Sequence, residues 1–148
     1  MRSVVELQTW VTRSEDETAH VGRQLTKQLP QGSVVSLEGT LGAGKSVLVR
    51  GMAAGLGIDP ESVTSPTFTL WQTYSGTCDL HHLDAYRLRN AEEFLELGVE
   101  ELFQQDGLIV IEWGEKVRRV LPTEHYRVTI EIDEDSHRRI VLLQQTES

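Results

Sequence analysis

The stretch Gly39-Thr40-Leu41-Gly42-Ala43-Gly44-Lys45-Ser46 constrains this chain more than any other. It fits G-x-x-x-x-G-K-[ST], the phosphate-binding loop. Its glycines let successive backbone N–H groups curl into a concave nest for phosphate oxygens. A helix that follows such a loop adds unpaired N–H groups and the positive end of its dipole. Lys45 sets an ammonium against β- and γ-phosphates, and Ser46 offers a hydroxyl to Mg²⁺, a hard ion that takes oxygen ligands. The motif demands a strand before it and a helix after it. Val34, Val35 and Leu37 supply the strand, and Lys45 to Leu56 reads as the helix.

The remaining elements follow from periodicity and punctuation. Val4 to Leu7 reads as a short strand. Ser14 with Glu17 fits a capping box opening an amphipathic helix that carries Val21, Leu25 and Leu29. Thr67 to Tyr74 and Thr77 to Leu83 read as a hairpin joined at Ser75-Gly76. Ala91 to Leu97 and Val99 to Gln105 read as short acidic helices split by Gly98. Leu108 to Ile111 is a continuous apolar run, suited to a strand buried on both faces of a parallel sheet. His125 to Ile132 and Arg138 to Leu143 read as a second hairpin. The expectation is one three-layer α/β domain over residues 1–148: a mostly parallel sheet flanked by helices, with hairpin additions.

Composition excludes several classes. The net charge of −9 is not steered toward phosphate backbones, so unaided nucleic-acid binding is not the main job. No run approaches the roughly 18 apolar residues of a membrane span. The first ten residues are interrupted by Glu6 and lack the apolar core of a secretory signal. Cys78 is the single cysteine, so no internal disulfide forms. These features point to a cytosolic protein, with Cys78 as a small buried hydrophobe.

A phosphate loop needs a carboxylate at the end of a neighbouring strand. Two are available. Glu112 ends the apolar run Leu108 to Ile111, and Asp84 ends Leu80 to Leu83. The residues leave open which of them faces a metal. Ser65-Pro66-Thr67 lies where phosphate-loop proteins often carry a threonine that senses the γ-phosphate, and it also fits a strand-starting turn. The guanine-reading [NT]-K-x-D tetrad is missing, which favours ATP by elimination. His82 and Asp84 form an H-x-D pair, too few ligands for zinc. The arginines read as surface ion-pair partners, and Trp113 as core or interface. The acidic stretch Glu92 to Glu101 reads as a solvated face that can dock to a basic partner.

Leu37 to Ser46, Ser65 to Leu70, His82-Leu83-Asp84-Ala85-Tyr86-Arg87-Leu88, Glu96-Leu97-Gly98 and Ile111-Glu112-Trp113 occur in this order. Together they resemble the TsaE family, small bacterial ATPases of tRNA N6-threonylcarbamoyladenosine biosynthesis. The resemblance runs from Ser14 to about Leu143. It implies ATP and Mg²⁺ as cofactors, slow hydrolysis, and two partner proteins, TsaB and TsaD, that act on adenosine 37 of tRNA. It implies no direct chemistry on the adenosine, because TsaD performs the transfer. It further implies that Gly39, Leu41, Gly42, Ala43, Gly44, Lys45, Ser46 and Val47 hold the nucleotide. Ser46 and Glu112 hold Mg²⁺, Asp84 assists hydrolysis or metal positioning, and Thr67 senses the γ-phosphate. The segment Thr12 to Ser14, with Arg13, and Arg138 on the second hairpin point toward the adenine. Two positions depart from the family's usual loop: Thr40 stands for an aspartate and Ser46 for a threonine. The serine keeps the hydroxyl. The alternatives are a small-molecule kinase, for which no acceptor signature is present, and a nucleotide-gated binding module without useful hydrolysis.

Overall fold

The computed structural model describes residues 2–64 and 70–147. Seven strands form one sheet: β1 (Arg2–Thr12), β2 (Val34–Glu38), β3 (Trp71–Tyr74), β4 (Leu80–Asp84), β5 (Leu108–Glu112), β6 (His125–Ile132) and β7 (Arg138–Glu147). Their order is β1-β7-β6-β2-β5-β4-β3. The centre is parallel, with β2 between β5 and β6 and β4 beside β5. The edges are antiparallel: β3 on β4, β7 on β6 and β1 on β7. Helices α1 (Glu15–Gln28) and α2 (Lys45–Gly55) cover one face. The short α3 (Ala91–Leu95) and α4 (Val99–Leu102) cover part of the other, with a kinked 3-10 stretch from Gly114 to Val120.

Two apolar clusters follow from strand alternation. Val35, Leu37, Leu80, Leu108, Val110, Val128, Ile130, Ile140 and Leu142 face α1 and α2. Val34, Leu83, Ile109 and Ile111 face the opposite way and pack with Phe94, Val99, Leu102, Val117 and Leu121. All five residues of β5 are buried, as its unbroken apolar run requires. This is the expected three-layer α/β fold, with the antiparallel edges supplied by the two hairpins and by β1.

The capping box is modified. Ser14 Oγ accepts the N–H of Glu17 at 3.1 Å, but the Glu17 carboxylate reaches back to the N–H of Arg13, at 3.0 Å, rather than to that of Ser14. Ser14→Ala is expected to lower stability by about 1 kcal/mol, read by urea unfolding; an unchanged midpoint contradicts this role. Helices α1 and α2 touch through glycines. A Cβ on Gly51 would lie 2.1 Å from the Ala19 carbonyl oxygen, and one on Gly22 would lie 2.4 Å from that of Leu48.

Several boundaries differ from the sequence expectation. Strand β1 spans 11 residues rather than Val4 to Leu7. It is an edge strand, exposed over most of its length, so no alternation marks its limits; pairing with β7 does. It is tied to α1 by Trp10 Nε1 to Gln24 and by Gln28 to Gln8. Strand β4 starts later, at Leu80, and includes Asp84 as its last residue. The acidic helices are shorter than expected, each about one turn. Cys78 is half-buried against the first cluster, and burial pushes its thiol up. Among the described residues, no helix is long and apolar enough to cross a membrane.

Candidate functional site

The loop from Gly39 to Gly44 leaves the C-terminal end of β2 and enters α2, the strand-loop-helix context its motif demands. Gly44 caps α2 with φ 112°, in the left-handed region that a side chain disfavours. Gly39 passes so close to β6 that a Cβ would lie 2.5 Å from the Ile130 carbonyl oxygen. A cleft of about 480 Å³ opens above the loop. Leu41, Gly42, Gly44, Lys45, Ser46 and Val47 line it from the loop and helix. Asp84, Tyr86, Arg87, Glu112 and Trp113 line it from the ends of β4 and β5.

Parallel pairing explains why the two carboxylates meet. Asp84 and Glu112 are register partners on adjacent strands. Both follow the alternation that turns Leu80, Leu108 and Val110 toward α2. The two acids differ in environment. Glu112 is 7% exposed, and its Oε2 accepts a 2.6 Å hydrogen bond from Nε2 of buried His82. Asp84 is half-buried, and its Oδ1 accepts the N–H of Tyr86 at 2.9 Å. Burial pushes the Asp84 carboxyl above the usual range; the Tyr86 N–H opposes this, and the Glu112 charge adds to it.

Lys45 is 6% exposed, an unusual burial for an ammonium. Its Nζ donates to the Gly39 carbonyl at 2.6 Å and lies 3.7 Å from the Trp113 ring centroid. Burial pulls its pKa below the ordinary lysine value, while the charges of Glu112, Glu115 and Asp84 pull it back. Trp113 takes a left-handed conformation at φ 60°, directly after Glu112, and packs against Tyr86 with ring centroids 5.0 Å apart and ring planes tilted by 42°. Trp113 packs against the second apolar cluster, as a core residue is expected to, and its ring also forms a wall of the cleft over the lysine.

Arg13 and Arg138 lie beside the loop in a second cavity of about 250 Å³. Thr12, Ser14, Thr18 and Ser136 also line it, and it shares Gly42, Gly44 and Val47 with the cleft. Arg138 Nε donates to the Ala43 carbonyl at 2.8 Å, so β7 braces the loop. Ala43 itself is fully buried, with its N–H bonded to the Thr40 carbonyl at 3.2 Å. Thr67 lies outside the described residues. The structure therefore gathers Lys45, Ser46, Asp84 and Glu112 at one cleft, with Arg13 and Arg138 at its neighbour. Sequence reasoning missed His82 as the partner of Glu112, although one signal was present: His82 and Asp84 alternate on one strand and so share a face.

The family model for threonylcarbamoyl adenosine biosynthesis protein TsaE matches residues 12–140. The chain belongs to the TsaE family. Within that family it is 43% identical over 132 residues to the tRNA threonylcarbamoyladenosine biosynthesis protein TsaE of Treponema pallidum, covering 89% of this chain and 97% of that protein. It is 36% identical over 132 residues to the TsaE of Bacillus subtilis, covering 88% and 82%. The fold matches a crystal structure of Bacillus subtilis YdiB with a TM-score of 0.79 at 32% identity, covering 95% of this chain and 86% of that one. This TsaE-family chain thus carries the P-loop NTPase fold that its loop motif required.

Proposed function

We propose that this chain is a Mg²⁺-dependent ATPase that works with the TsaB and TsaD proteins in tRNA N6-threonylcarbamoyladenosine formation. The observation that carries the reading is the convergence of Lys45, Ser46, Asp84 and Glu112 on one cleft lined by the glycine-rich loop. The relatives named for this biosynthesis support the pathway. The net charge of −9 supports action through protein partners rather than on RNA directly.

The residues fit the cofactor. A metal such as Mg²⁺ takes hard oxygen donors, and the Ser46 hydroxyl and the Glu112 carboxylate line the same cleft. His82 takes Oε2 of Glu112 and leaves Oε1 for a further ligand. Bound there, the ion would neutralise charge on the β- and γ-phosphates. Lys45 would exchange the Gly39 carbonyl and the Trp113 face for phosphate oxygens, a stronger charge-assisted pairing. Asp84 is the carboxylate whose raised pKa suits it to accept a proton from an attacking water. Arg13 and Arg138 flank the second cavity, where the base would lie.

Asp84→Asn separates hydrolysis from mere nucleotide gating. The expected result is nucleotide affinity within about threefold of the parent and turnover lowered by about 10²-fold or more, the contribution of a positioned base. Parent-like turnover in this variant contradicts the assignment of Asp84. Full support of the tRNA modification by a variant that binds but does not hydrolyse ATP favours the binding-module alternative.

A further inference from the structure

His82 is one of three buried histidines among the described residues, at 2% exposure. Its side chain is 3% exposed and lies on the α2 side of β4, between the cleft and the body of the domain. Nε2 faces Oε2 of Glu112 across the β4–β5 pairing at 2.6 Å. A carboxylate only accepts, so the proton of this bond sits on Nε2. Nδ1 is buried and has no hydrogen-bond partner among the described residues. His82 also lines a cavity of about 70 Å³ together with Ser46, Val49, Arg50, Val63 and Thr64. That space is large enough for a water, and it has polar walls.

We propose that His82 is a positioning residue for the metal site, holding Glu112 directly through Nε2 and Ser46 through a water that Nδ1 anchors in the small cavity. This rests on the functional reading above, in which Glu112 and Ser46 are the metal's protein ligands. A glutamate has three side-chain torsions, and a ligand free to rotate loses entropy when it is fixed. The imidazole fixes Glu112 from a β-strand, a rigid element. The cavity brings the same imidazole beside the residue that opens α2 with Lys45. One buried ring therefore sets the relative placement of two ligands that come from different elements. Partners behind a ligand of this kind typically change metal affinity by about 10–100-fold when removed.

The test reads metal binding rather than turnover. Mn²⁺ is titrated by electron paramagnetic resonance into the full chain carrying a non-hydrolysable ATP analogue, and analogue affinity is measured separately in excess chelator. In His82→Asn the amide sits near the Nδ1 position and does not reach Glu112. Mn²⁺ affinity is expected to fall about 10–100-fold while metal-free analogue affinity stays within about twofold. In His82→Gln the amide nitrogen reaches the Nε2 position, and Mn²⁺ affinity is expected to recover to within a few-fold of the parent. Parent-like Mn²⁺ affinity in His82→Asn overturns the inference alone. A parallel loss of metal-free analogue binding also overturns it, because the residue would then support the whole loop. A parent chain that binds the analogue but no Mn²⁺ overturns the functional reading and this inference together. The parent chain offers a reading that needs no stable variant: ¹⁵N resonances of the His82 ring should report an Nε2–H tautomer and shift when Mg²⁺ joins the bound analogue. A ring protonated only on Nδ1, or one unmoved by Mg²⁺, contradicts the proposal.

Discussion

Lys45→Ala is expected to abolish ATP hydrolysis to within background, a loss of at least about 10²–10³-fold, with nucleotide affinity strongly reduced. The ammonium is the one cation of the loop itself, and it is already held inside the cleft by Gly39 and Trp113. Removing it leaves the loop amides and the α2 dipole, which would neutralise less phosphate charge. The fold should survive, because the lost contacts are a single hydrogen bond and a ring contact at the cleft. Hydrolysis is followed by phosphate release, and folding by the thermal midpoint. Near-parent turnover in a folded Lys45→Ala chain contradicts the assignment of this cleft as the nucleotide site.

Phe94→Ala is expected to produce the largest loss of stability. Phe94 has no exposed surface and is the largest of the fully buried side chains. It sits on α3, a helix of only five residues. A helix this short has little stability of its own and is held by what it packs against. Phe94 joins Val99, Leu102 and Val117 to Ile109 and Ile111 of β5. Truncation is expected to cost about 3–5 kcal/mol and to lower the melting temperature by on the order of 6–20 °C. A loss below about 1 kcal/mol would mean that the second helical layer contributes little to the fold. Asp84 and Glu112 end the strands that this layer covers, so an indirect loss of activity should accompany the loss of stability.

The loop was legible because its information is local. Glycines, lysine and hydroxyl stand at fixed spacing, and strand and helix adjoin them. Strand β5 was legible because burial on both faces leaves an unbroken apolar run. Asp84 and Glu112 were both legible as strand-end acids, but their difference was not. That difference arises from a cross-strand bond between His82 and Glu112, 30 residues apart, and from the Tyr86 N–H on Asp84. Register decides such contacts, and no sequence period encodes the register between β4 and β5. Strand β1 was underestimated for the opposite reason. An exposed edge strand needs no buried face, so its pattern carries little periodicity, and its extent is set by β7. The position of Trp113 was hidden by its left-handed backbone, which turns the ring over Lys45. The bracing of Ala43 by Arg138 spans 95 residues and belongs to the same class of long-range contact.

The proposed ATPase is one whose turnover its partners govern. The most direct measurement is steady-state ATP hydrolysis by the purified chain with Mg²⁺, alone and with TsaB and TsaD added. Slow turnover alone and a several-fold change when both partners are present are expected. Fast turnover that is indifferent to the partners, or no nucleotide binding in either condition, would contradict that proposal.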